Sequence, residues 1–252
     1  GYRNTAIGSQ ALTSLDSGAA NVAVGSSTGG AITTGSFNSI VGDESMTALT
    51  TGNHNVALGY NALQSFTGGG GVAVGSGAAK LSTTASLFVA VGHEALNSNI
   101  IGYRNTAIGY RSLQLATGNL NTAVGAQTLQ STVEGLYNTA VGAQTMQFNT
   151  TGSGNTSMGT FAMIANTTGS NNVAIGMHSL QSSTIAGNLV AIGYRALCSN
   201  TSALGNTAVG AQVLELCTTG GQNTALGFNA GKSITTGTYN TIIGANAGIT
   251  NN

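Results

Sequence analysis

Hydrophobic positions along this chain follow a seventeen-residue rhythm rather than helical or domain-sized blocks. The clearest unit is Asn138-Thr-Ala-Val-Gly142. Its closing glycine returns at Gly8, Gly25, Gly42, Gly59, Gly75, Gly92, Gly109, Gly125, Gly142, Gly159, Gly176, Gly193, Gly210, Gly227 and Gly244. The spacing is 17 residues, falling to 16 only before Gly75 and Gly125. With this glycine as position 0, position −1 is aliphatic or Met in all fifteen units, and −2 is Ala in twelve. Position −3 is Thr, Val or Ser, and −4 is Asn in twelve. Position +4 is Leu or Met in eleven units, and most units close on a turn such as Thr50-Thr51-Gly52.

A period of 17 with recurrent glycine and β-branched residues excludes a helix and predicts short strands separated by turns. The fold class expected is all-β, a parallel β-solenoid or β-roll of about fifteen 17-residue coils forming a single continuous repeat domain over residues 1–252. Each coil has room for two strands and two turns, with glycine supplying positive φ or close approach at corners. Proline is absent, as expected where most amides donate to ladders between coils. At about 4.8 Å per coil the array would reach roughly 70 Å.

Strand alternation carries the pattern further. In Asn-Thr-Ala-Val-Gly, Thr and Val share one face while Asn, Ala and Gly share the other. Neither face is charged, and a strand that is small or apolar on both faces is normally covered on both. The coil's own second strand can cover one, so the other predicts self-association.

Composition changes the picture in one respect. Charged residues make up 5% of the chain, with six basic and six acidic side chains and a net charge of zero. That excludes the basic stripe a nucleic-acid surface requires, and no run approaches a membrane-spanning length. The apolar content of 41% separates the chain from disordered low-complexity tracts. Neither Gly1 nor Asn252 carries a recognisable polar cap, which predicts continuation into another domain or subunit.

Candidate chemistry is sparse. His54, His93 and His178 sit at different phases of the repeat, and Asp43-Glu44 is not repeated, so neither a catalytic constellation nor a metal array is expected; no cofactor is implied. Gly227-Phe-Asn-Ala-Gly231-Lys232-Ser233 is one residue too short between glycines for a phosphate loop. Cys198 and Cys217 lie about one coil apart, compatible with free thiols or with a coil-to-coil disulfide. Asn149, Asn155, Asn166 and Asn200 are glycosylation sequons of a kind an Asn/Thr-rich repeat generates by chance.

Two columns remain. Asn4, Asn21, Asn38, Asn55, Asn105, Asn121, Asn138, Asn155, Asn172, Asn206, Asn223 and Asn240 are expected to stack as a structural amide ladder. The two positions after the glycine vary most, and Tyr60, His93, Tyr110, Arg111, Tyr194, Arg195 and Phe228 form a candidate exposed binding column.

Asn172-Val-Ala-Ile-Gly176-Met-His-Ser179 and Asn21-Val-Ala-Val-Gly25 resemble the head repeats of YadA-like trimeric autotransporter adhesins, repeats also seen in phage and virus fibre proteins. The resemblance covers the whole chain. It departs in its dominant Asn-Thr and its longer period, and no neck, stalk or anchor of a complete autotransporter is expected within these 252 residues. It implies a left-handed β-roll, three chains about one axis, and a role in surface attachment. The expected function is a structural or adhesive fibre segment on a cell surface or virion, non-enzymatic, homotrimeric and open to end-to-end filaments, with an unidentified surface receptor. The alternative is a solenoid whose Thr and Asn rows bind an ordered lattice such as ice.

Overall fold

The computed structural model describes residues 1–248; Asn252, where one uncapped end was expected, lies outside them. The chain is all-β, a parallel β-solenoid of 17-residue coils, and it divides into two compact units, Gly1–Asn121 and Thr122–Asn252. In the first unit the strands are β1 (Thr5–Ile7), β2 (Val22–Val24), β3 (Ser39–Val41), β4 (Val56–Leu58), β5 (Val72–Val74), β6 (Val89–Val91) and β7 (Thr106–Ile108). They pair in sequence order and in parallel, Thr5 opposite Val22 and Ala6 opposite Ala23, so identical repeat positions face each other. The second unit repeats this with β8 (Thr122–Val124), β9 (Thr139–Val141), β10 (Thr156–Met158), β11 (Val173–Ile175), β12 (Val190–Ile192), β13 (Thr207–Val209), β14 (Thr224–Leu226) and β15 (Thr241–Ile243).

One expectation is corrected. Each coil holds one three-residue strand, not two; the opposite side is built from turn residues. There, positions +2 and +4 take left-handed φ values, for example Gln10 (58°) and Leu12 (51°), or Gln144 (55°) and Met146 (52°). The amides nevertheless bond between coils. Ser27 N–H donates back to Ser9 O at 2.8 Å, while Leu12 N–H donates onward to Thr28 O at 3.1 Å and Ser14 N–H to Gly30 O at 3.2 Å. In the second unit Gln144 N–H reaches back to Ala126 O and Met146 N–H forward to Ala162 O. Left-handed non-glycine residues cost about 1–3 kcal/mol each. Here the cost is offset by closing backbone bonds that would otherwise be orphaned and by burying the +4 side chain, about 1.5–3 kcal/mol for a Leu or Met.

The core sits between the two sides. Ala at −2 points inward from the strand and is fully buried from Ala23 to Ala208; Leu and Met at +4 meet it from the turn side. A third buried column lies at +7, and it changes chemistry along the chain: Ile32, Leu49 and Phe66, then Ser82 and Asn99, then Asn149, Asn166, Ser183 and Asn200. The repeat glycine has a φ near 130°, 132° at Gly142, where a Cβ would lie 2.8 Å from the backbone carbonyl carbon of Gly159. No L-residue fits that approach without displacing the next coil.

Candidate binding face and asparagine spine

The backbone N–H at −4 finds no carbonyl in the strand ladder, and the Asn column supplies its acceptor. In the first unit Asn21 N–H donates to Asn4 Oδ1 at 2.9 Å and Asn38 N–H to Asn21 Oδ1 at 3.0 Å; Asn55 N–H does the same to Asn38 Oδ1, and Asn121 N–H to Asn105 Oδ1. Nδ2 groups of the column also donate to corner carbonyls, as Asn21 does to Gly35 O at 2.8 Å and Asn38 to Gly52 O at 3.0 Å. In the second unit Asn155 N–H and Nδ2 both donate to Asn138 Oδ1, at 3.0 and 3.2 Å, and Nδ2 donates to Gly169 O at 2.8 Å. Asn172 N–H donates to Asn155 Oδ1, Asn223 N–H to Asn206 Oδ1 and Asn240 N–H to Asn223 Oδ1. The spine therefore bridges side chain to backbone as much as amide to amide. It runs out at Gly71, whose N–H takes Asn55 Oδ1, and at Leu189, whose N–H takes Asn172 Oδ1.

The face after the repeat glycine is assembled from positions +1, +2 and +5. Position +1 carries the exposed aromatics: Tyr60 is 53% exposed, and His93, Tyr110, Tyr194 and Phe228 are likewise exposed. Position +2 lies flatter across the coils. Arg111 and Arg195 are half-buried, and Asn61, expected on the surface, is only 5% exposed. In the first unit His93 stacks on Tyr110 at 5.8 Å, and the Arg111 guanidinium sits 4.9 Å from the Tyr110 ring. Arg111 Nε donates to Glu94 Oε2 at 2.6 Å, and Gln114 Nε2 to the same oxygen at 3.1 Å. That hydrogen bond pushes the already high pKa of Arg111 further up, against a smaller opposing effect of burial.

In the first unit these columns also line an open cavity of about 150 Å³. It is lined by the +1 side chains Tyr60, Ser76 and His93, by Gly77 and Glu94 at +2, and by Lys80 and Asn97 at +5. Glu94 falls in the variable positions after the glycine, but sequence reasoning missed Lys80 and Asn97 at position +5, because their meeting with that face depends on the small residues at 76 and 77.

In the second unit Arg195 Nε and Lys232 Nζ hold Glu215 from two sides, at 2.9 and 3.0 Å, and Glu215 is only 3% exposed. Cys198, close by, donates to Gln181 Oε1, and its hydrogen bond with Arg195 is the main cause raising that guanidinium's pKa. Cys217 is fully buried, its Sγ donates to Gly220 O at 3.2 Å, and burial pushes its thiol pKa up. The two cysteines are free and buried, which decides between the alternatives left open by their spacing.

The remaining sequence candidates are placed as follows. His54 is exposed and stacks on Phe37 at 5.1 Å, whereas His178 is half-buried against Phe161 at 5.3 Å. The sequon residues Asn149, Asn155, Asn166 and Asn200 are all fully buried, so the folded chain does not present them as acceptors. Among the described residues no three His, Cys, Asp or Glu side chains converge as a metal site, and no helix is long and apolar enough to cross a membrane. No family model, curated protein or solved structure matches the chain.

Proposed function

We propose that this chain is a structural and adhesive fibre segment, homotrimeric and extracellular, that projects from a cell surface or virion and mediates attachment without catalysis. One observation carries the reading. The outward face of the strands is aliphatic and uncovered, at Ile7, Val22, Val41, Leu58 and Ile108 in the first unit and at Met158, Leu226 and Ile243 in the second. The inward face is already sealed by Ala against the +4 side chains. Rows of β-branched and aliphatic residues with no charge among them match the burial pattern of a sheet covered on both sides. A second and third copy supply a cover with the same spacing and the same chemistry. Assembly leaves the variable face after each glycine available for a receptor.

Mass measurement of the native chain by light scattering tests this, with three chains per particle expected. Val141, half-exposed on β9, is the diagnostic position. Val141→Asp puts one carboxylate per chain into the uncovered stripe, and burying it unpaired costs several kcal/mol, roughly 2–7 by transfer data for polar groups and more for an ion. The variant should keep the native circular dichroism yet run as a monomer. A Val141→Asp chain that still assembles as the native chain does would place the contact elsewhere.

A second reading is favoured by a threonine row at position +8. Thr33, Thr67 and Thr83 in the first unit and Thr150, Thr167, Thr184, Thr201 and Thr218 in the second each donate Oγ1–H to the carbonyl of the next coil. That fixes a regular array of methyls and lone pairs suited to an ordered lattice. Thermal hysteresis from a monomeric chain would favour this reading over the fibre.

A further inference from the structure

We propose that the cavity between Tyr60 and His93 is a saccharide site, taking one pyranose ring that bears a carboxylate. The assignment rests on the surface-attachment reading above and names the ligand class of its variable face. The site arises from side chains that are missing. Along position +1 of the first unit, Tyr60, Ser76, His93 and Tyr110 follow one another, so a hydroxymethyl stands where an aromatic ring would continue the stack. Position +2 of the same coil is Gly77, the only glycine in that column among the described residues. Two adjacent truncations open the cavity of about 150 Å³.

The walls suit a ring with apolar faces and hydroxylated edges. Tyr60 and His93 are two coils apart, about 9–10 Å at the spacing of paired strands, which admits one sugar ring stacked between them. His93 is backed by Tyr110 at 5.8 Å, and so is held for stacking before a ligand arrives. The polar edge is equally fixed. Asn97 Nδ2 is tied to Gly77 O at 2.9 Å while its Oδ1 accepts from Ser98 Oγ at 3.2 Å, and Asn61 Oδ1 accepts from Gln64 Nε2 at 3.1 Å, leaving the Asn61 Nδ2 group and the second lone pair of Asn97 Oδ1 for ligand hydroxyls. Glu94 spends Oε2 on Arg111 and Gln114, so its charge is matched within the protein. Lys80, half-buried at the same edge, makes no ion pair among the described residues. Its ammonium is the one unmatched charge at the cavity, and it selects a carboxylate on the sugar.

The test uses saturation-transfer NMR and titration of the full chain with D-glucuronic acid and N-acetylneuraminic acid, and with D-glucose as the neutral comparison. At least one acidic sugar should bind, more tightly than glucose, with protons of its ring faces receiving the strongest transfer. Lys80→Gln should weaken the acidic sugar about tenfold, to the level of glucose, a change of about 1.4 kcal/mol. Ser76→Tyr should abolish binding of both while leaving the thermal melt unchanged, because the same column holds Tyr60, Tyr110 and Tyr194 in native coils. Failure of both acidic sugars to bind, or binding that survives Ser76→Tyr, would overturn the site. A trimer that binds no sugar would sink this assignment alone, and a monomer that binds one would sink only the fibre.

Discussion

At the scale of single residues, the asparagine column does what no other side chain of its size could do. It must accept a backbone N–H from the next coil and donate to a corner carbonyl at once, from a fully buried position. Ala would leave both groups orphaned, Asp would lose the donor and bury a charge, and Gln would overreach the gap. Asn155 is a clean case: Oδ1 accepts Asn172 N–H at 3.0 Å while Nδ2 serves Gly169 O at 2.8 Å. Each orphaned buried group costs about 1–3 kcal/mol, so Asn155→Ala should destabilise the folded chain by about 2–4 kcal/mol, read as a drop in the urea midpoint. A loss under about 0.5 kcal/mol would mean that water reaches these groups and that the spine is dispensable. The repetition of Asn at −4 was legible in the sequence as stacking. That half of each bond set goes to backbone was not, since the spacing carries no record of which amide lacks a carbonyl.

At the scale of the coil, the exceptions to the repeat explain one another. Position −2 departs from Ala to Ile at Ile40 and Ile242, and in the unit before each of them position +4 departs from Leu or Met to Gly29 and Gly231. The packing explains why: a Cβ on Gly29 would lie 3.0 Å from Ile40 Cδ1, and one on Gly231 2.8 Å from Ile242 Cδ1. Volume lost on the turn side is returned from the strand side. A related exchange removes the Asn at Gly71 and Phe88 so that Phe66 and Phe88 can meet edge to face at 5.5 Å. Ile40→Ala alone should therefore cost about 2–5 kcal/mol by opening a cavity, and Gly29→Leu alone about 1–3 kcal/mol by overpacking. The double variant restores the arrangement of the neighbouring coils, and should be more stable than either single one, with a coupling of about 2 kcal/mol or more in a double-mutant cycle. Additive losses would show that the two positions do not share the space. The strand side of this coil could be read directly, because alternation at Thr-Ala-Val assigns each residue to a face. The turn side could not: Leu12 at φ 51° carries no signature that distinguishes it from a strand residue. The room left in a 17-residue coil therefore suggested a second strand where the chain takes left-handed φ at positions +2 and +4 instead.

At the scale of the whole molecule, the scarcity of charge becomes an argument about what could hold copies together. Twelve charged side chains serve 252 residues, and the ion pairs among the described residues are Arg111–Glu94, Arg195–Glu215 and Lys232–Glu215. All lie on the variable face, where Glu215 is buried, and none lies on the outward strand rows. Association through those rows would be driven by apolar burial, which simple salt does not screen; association through the variable face would rely on Arg111, Arg195 and Lys232. Ionic strength separates the two. Raising NaCl from about 0.05 to about 1 M shortens the screening length from more than 10 Å to about 3 Å. It should leave the particle mass unchanged, since hydrophobic contact weakens only with denaturant or cooling. Dissociation across that range would move the interface to the charged columns and leave the aliphatic rows unexplained. The uncovered rows were legible from sequence, because alternation put small or apolar residues on both faces of the strands. The cavity at Tyr60 and His93 was not, since it is made by Ser76 and Gly77, two residues whose importance lies in the side chains they lack. Salt-independent assembly combined with a salt-sensitive affinity for acidic sugars, falling as Lys80 is screened, is the pair of outcomes expected if the two surfaces do separate jobs.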